Sequence, residues 1–252
     1  MSAQRNSAES GNAFFIVMVG VVLFAALMFT FSRGVRQGGD NLSEKNVEMA
    51  ATELIDTAQK YERAVSRLRL KGCSENQISF DLHNGTLKTA DDTAQNYVNA
   101  ASPADFSCHV FHPNGGNLTP YLLPESYVVD NGPVCAVCTH ARSLHFSAAT
   151  VIGNGVDSGA EGSDLVLWMG RVTRDVCIEI NNRLGIANPG GAPPVDPWNC
   201  TPSDPPFTGS FANCDADPIG DDAAALAGQQ SFCVDFDSSG WTYIFMTVLI
   251  QH

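Results

Sequence analysis

Residues 11–31 read GNAFFIVMVGVVLFAALMFTF, and from Ala13 to Phe31 none of them is charged. An α-helix rises about 1.5 Å per residue, so about 20 such residues cross a hydrocarbon core about 30 Å thick. A helix on the surface of a water-soluble domain buries a single stripe and has no use for a run that is apolar on every side. The stretch predicts a transmembrane helix over residues 12–32, and the rest of the chain is ordered around it.

In front stands a short polar segment, MSAQRNSAES, closed by Gly11. Behind come Arg33, Arg36 and the glycines Gly34, Gly38 and Gly39. Each glycine weakens a helix by about 1 kcal/mol relative to alanine, so this segment reads as a hinge. Beyond it Val47, Ala51, Leu54, Ala58, Tyr61, Val65 and Leu68 recur at spacings of four and three. That spacing keeps them on one helical face and predicts an amphipathic stalk up to Lys71. Arg63, Arg67, Arg69 and Lys71 favour the negative end of that helix, and Gly72 supplies a left-handed stop.

A polar leader ending in Gly11, an apolar helix starting at once and an amphipathic continuation resemble the type IV pilins and type II secretion pseudopilins. The resemblance covers about the first quarter of the chain. It implies that a prepilin peptidase cuts between Gly11 and Asn12. It also implies a single-pass subunit of the inner membrane with a periplasmic head, later packed with other pilin-like subunits into an extracellular filament. The implied fold class is α+β, with a long N-terminal helix, a small antiparallel sheet and a disulfide-stapled irregular C-terminal region. The implied division is a leader at 1–11, a membrane helix at 12–32, a hinge and stalk at 33–72 and a cysteine-rich head at 73–252. Ile16 stands where most members carry Glu, and Asn12 where most carry an aromatic residue. Minor subunits at a filament tip can lack that Glu.

With 14 Lys and Arg against 27 Asp and Glu, the net charge of −13 excludes a nucleic-acid binder, which needs a basic patch. All eight cysteines lie after residue 72, a density that fits an oxidising compartment. Arg33 and Arg36 behind the apolar run, against Arg5 in front, favour a cytoplasmic head by the positive-inside rule. The cysteines favour export, and the charge difference is a single residue once the amino terminus is counted. The head is expected outside the cytoplasm.

In the head, residues 77–82 predict a short extended piece, and CHVFHPNGG at 108–116 a turn. Leu144 and Phe146 alternate with polar neighbours as in a half-buried strand, and residues 164–169 form a denser one. The glycine-rich segment between them reads as a hairpin connection. Thr173 caps a short helix with Val176, Cys177, Ile180 and Leu184 on one face, closed by Gly185. Eight of the 13 prolines fall in residues 188–220, which predicts an irregular loop. Residues 231–236 and 241–251 flank Asp237-Ser238-Ser239-Gly240 as a β-hairpin.

The cysteines are expected to form bridges: Cys73–Cys108, a local Cys135–Cys138, and pairs among Cys177, Cys200, Cys214 and Cys233. Two sharper readings compete at Cys135-Ala-Val-Cys138: a redox pair, and a zinc site with Cys108, His109, His112 and His140. Asp215, Asp217, Asp221 and Asp222 resemble the front of a calcium loop, although Ile219 and Leu226 occupy two ligand positions of an EF-hand. Oxygen-rich C-terminal loops bind calcium in several pseudopilins, so calcium is the one cofactor the resemblance suggests. No P-loop, HExxH or GxSxG is present, and no catalysis is expected. The competing functional class is a monomeric, membrane-anchored periplasmic binding module with a disulfide-stabilised head.

Overall fold

A computed structural model describes residues 10–82, 97–129, 144–154, 163–197, 205–211, 218–236 and 241–251, with the side chains of 10–16, 25–42 and 241–242 excepted. The chain divides into two compact units, Met1–Asn46 and Val47–His252. Helix α1 is assigned to Ser10–Leu70; its residues up to Asn46 belong to the first unit and the others to the second. In the first unit Val17, Met18, Val19, Val21, Val22, Leu23 and Phe24 are each 42–65% exposed. Among the described residues no helix is long and apolar enough to cross a membrane.

The larger unit is α+β. Among its described residues four strands, β1 (Leu144–Ala149), β2 (Asp164–Met169), β3 (Ser231–Phe236) and β4 (Trp241–Ile250), form one antiparallel sheet in the order β1-β2-β4-β3. The segments read as strands are strands, and β1 with β2 and β3 with β4 are sequential pairs. The longest strand, β4, is central because it accepts both β2 and β3.

Along β2 the side chains alternate between two cores, and both are apolar. Leu165, Leu167 and Met169 enter the core beneath α1, whereas Val166 and Trp168 enter a second core on the opposite face. A strand covered on both sides reads as a continuous apolar run, which is why residues 164–169 show no polar face. Strand β1 corrects the half-buried expectation. Ser147 is buried too, and its hydroxyl accepts a 2.7 Å hydrogen bond from Trp168 Nε1. One polar residue thus satisfies the indole that the second core would otherwise leave unpaired.

The stripe read on α1 is the buried stripe: Ala51, Leu54, Ala58, Tyr61, Val65 and Leu68 are all buried, with Val47 at its margin. Tyr61 packs on Phe146 at 5.5 Å and on Phe111 at 6.0 Å between ring centroids. Burying one large apolar side chain contributes about 1.5–3 kcal/mol, so this face, and not helix propensity, holds the segment. Its end is a Schellman turn: Cys73 N–H donates to Leu68 O, Gly72 N–H to Arg69 O, and Gly72 has φ +101°. Helix α2 (Arg174–Leu184) closes at Gly185, φ +75°, as its sequence indicates; Thr173 holds the N-cap position, but its side chain makes no capping hydrogen bond.

Residues 77–82 form no strand of the sheet. A 3-10 turn at Glu75–Gln77 leads into a single parallel bridge between Ser79 and His109. The turn at 108–116 is present, and Gly115 is required there: a Cβ would lie 2.0 Å from His109 O.

Candidate functional site

Among the described residues two disulfides tie the head together. Cys73–Cys108, the pairing named from the sequence, joins the end of α1 to the turn at residue 108. Cys177–Cys233, one of the pairings left open among four cysteines, joins α2 to β3. No described cysteine is a free thiol. Cys108 is therefore no zinc ligand, which removes the zinc reading that needed it. His109 is buried, and His112 stacks on Phe106 with centroids 4.6 Å apart. Cys135, Cys138, His140, Cys200 and Cys214 lie outside the described residues. Gly11 and Asn12 fall in the first turn of α1, and their side chains are among those not described.

At both outer edges of the sheet, backbone groups are taken by partners that no local pattern announced. At the β3 edge, Asn181 on α2 donates to Cys233 O at 2.9 Å, and its Oδ1 accepts Cys233 N–H at 2.8 Å. Next to it Asp196 N–H donates to Asp235 O, and Asp235 N–H to Pro194 O. At the β1 edge Phe146 N–H donates to the Tyr97 hydroxyl at 3.2 Å, and Phe207 N–H donates to Phe146 O at 2.8 Å. These bonds use the backbone groups through which another strand would add.

The proline-rich loop is irregular, as expected; Phe207 enters the core beneath α1, whereas the end of the loop, with the residues that follow it, covers the second core. Ile219 and Leu226 plug that core, and Ile219 N–H donates to Thr150 O while Ile152 N–H donates to Ile219 O. Gly220 N–H donates to Asp196 Oδ2 at 2.6 Å.

That last contact gathers Asp196, Asp221 and Asp222, whose ligand oxygens lie within 4.8 Å of one another. Of the four carboxylates expected to meet calcium, Asp221 and Asp222 come together and are exposed; Asp215 and Asp217 lie outside the described residues. Asp196, which is buried, was not read as part of the set. It stands 25 residues before Asp221 in sequence, and only the return of the loop brings it there. Calcium takes six to eight oxygens, so these three carboxylates supply part of such a shell and do not complete one.

A second group sits on α1. Glu53 receives two phenols, Tyr121 at 2.9 Å and Tyr127 at 2.6 Å, and Tyr121 N–H donates to the Tyr61 hydroxyl at 3.3 Å. The hydrogen bond to Glu53, followed by partial burial, pushes the Tyr127 phenol up to about 12. Burial and then Glu53 raise Tyr121, and burial raises Tyr61 and Tyr97. All four phenols stay protonated at neutral pH and serve as struts, not as bases.

No family model, curated protein or solved structure matches the chain. Function must be argued from its own residues. Among the described residues the polar groups brought together clamp loops and engage backbone groups at the sheet edges.

Proposed function

We propose that the protein is a structural subunit of a type IV pilus-like or type II secretion pseudopilus filament. It is held in the inner membrane by a long N-terminal helix before assembly, with its head in the periplasm. One observation carries the proposal: the apolar side chains from Val17 to Phe24 stand exposed, in a stretch that is uncharged to Phe31. A patch of that kind needs another apolar surface to cover it. Lipid supplies the cover first, and helices of neighbouring subunits supply it after assembly.

The head supports this reading by what it is built to withstand. The two disulfides among the described residues, the engaged backbone groups at the sheet edges and a core on each face make a rigid body suited to a surface outside the cell. Those engaged groups hinder uncontrolled strand addition between copies, so contacts between subunits fall to helices and side chains. The mechanism is packing, and it uses no cofactor chemistry.

Co-expression with a prepilin peptidase tests the proposal. Sequencing the mature amino terminus is expected to begin at Asn12, the eleven-residue leader having been removed. A chain that keeps Met1 in the presence of active peptidase, and runs as a monomer, overturns the filament reading and leaves an anchored module.

A further inference from the structure

The charges of the head are not scattered along α1. Five of the chain's 14 Lys and Arg (Lys60, Arg63, Arg67, Arg69, Lys71) fall within residues 60–71, while residues 48–59 hold Glu48, Glu53 and Asp56 and no base. Glu48, Thr52, Asp56, Lys60, Arg63 and Arg67 follow one another at spacings of four and three and are all exposed, so they form one row on the solvent face. Neighbouring charges are already engaged: Glu53 by two tyrosines, Glu62 by Gln230, Arg69 by Glu75 and Lys71, just past the helix, by Gly115 O. On the row, Arg63 meets only Gln59 and Arg67 only the Arg63 carbonyl. Among the described residues the side chains of Glu48, Asp56 and Lys60 have no partner.

An acidic half-row followed by a basic half-row, neither held in an ion pair among the described residues, is complementary to itself. We propose that a second copy of this chain docks here, with Glu48 and Asp56 of one copy against Arg63 and Arg67 of the next. The two half-rows are centred about 13 residues apart, so neighbours are offset by about 20 Å along the helix axis. Antiparallel copies would satisfy both half-rows in a closed dimer. Under the filament reading, on which this inference rests, every copy enters the membrane from the same side, so the contact is parallel, staggered and repeating. In a chain of net charge −13 copies repel at large, and the basic band is where that repulsion is locally reversed. Exposed ion pairs contribute little affinity, and their part here is to fix register.

The test is zero-length carbodiimide coupling of the full chain in membranes, read by mass spectrometry of linked peptides. Lys60 and Glu48 are about 18 Å apart on one helix, so a direct link between them joins two copies. The expected result is a ladder of dimers, trimers and larger species carrying the Lys60–Glu48 link. About 1 M salt, with a Debye length of about 3 Å, should dissolve it without any substitution. Asp56→Lys and Arg67→Glu should each lower the link about fivefold, and the two together should restore it. Both positions are exposed, and mapping of Cys73–Cys108 and Cys177–Cys233 checks that each variant folds. Absence of the link, a ladder that stops at dimers, or indifference to salt and charge reversal overturns the contact. Loss of binding to anionic lipid vesicles in Arg67→Glu, with no link in the parent chain, assigns the basic band to lipid and overturns it too. Leader removal without the link leaves the filament subunit and rejects this contact. A link with the leader uncut keeps the contact and rejects the filament, and neither result rejects both.

Discussion

The two faces of the sheet are equally dry and are covered by different means. On one face lie α1 and α2, regular elements whose apolar stripes can be counted along the chain, joined by residues of irregular segments such as Phe80, Tyr97, Val110 and Phe207. On the other lies a layer drawn mostly from the segment after α2, with Ile186, Ile219, Ala223 and Leu226 as its plugs. A helix satisfies its own backbone and can cover a sheet by side chains alone. An irregular layer must send its amide and carbonyl groups somewhere, and here they go to Thr150, Ile152, Asp235 and the Asp196 carboxylate. The difference shows that a loop becomes a structural layer when its polar groups are tied to the sheet it covers.

Phe146→Ala should break the helix side most severely, because Phe146 touches Tyr61, Phe80, Tyr97 and Phe111. Urea unfolding should show a loss of about 3–5 kcal/mol. Removing the Cys177–Cys233 bridge by a double change to Ala should cost about 4 kcal/mol, since it closes a separation of 56 residues. The midpoint of denaturation under oxidising conditions measures this, and no change on adding reductant to the parent protein would reject it.

Ile219→Ala sharpens the comparison on the loop side. It should cost about 2–3 kcal/mol, less than Phe146→Ala, because an irregular layer relaxes into a cavity more easily than a helix. Equal losses on the two faces would show the loop to be as rigidly packed as α1. Asp196→Ala should cost about 1–3 kcal/mol by stranding the Gly220 N–H. Asp196→Asn keeps an acceptor for the Gly220 N–H, so it should cost less than Asp196→Ala.

The smallest effect concerns pH. Tyr127 rises from 10.0 to about 12 on folding, so the folded chain holds that proton when the unfolded chain has lost it. Its contribution to stability is complete below pH 10 and disappears as pH rises through about 12. Glu53→Gln should bring the Tyr127 titration, followed by tyrosinate absorbance, back toward 10.0.

Much of this head was legible residue by residue. The stripe from Ala51 to Leu68, the boundaries of α2 at Thr173 and Gly185, and the four strand segments all follow from periodicity and end signals. The acidic set was legible only in part: spacing pointed to Asp221 and Asp222, and nothing local pointed to Asp196. Asn181 reads as a polar residue within α2, yet it engages the backbone of Cys233 at the β3 edge. Glu53 reads as one more solvated charge, yet it pins two tyrosines.

By itself, then, the sequence determined where elements start and stop, which side of α1 is apolar, and that one stretch near the front is uncharged and apolar on every side. Those properties depend on neighbours within a few residues, and rotation or pleat per residue converts them directly into faces. Only the tertiary structure decided that β4 is central, that the sheet is dry on both faces, that Ser147 is buried against Trp168, and which carboxylates meet. Such outcomes depend on which distant segment fills each face and edge, and that choice is made by packing and backbone satisfaction across the whole fold.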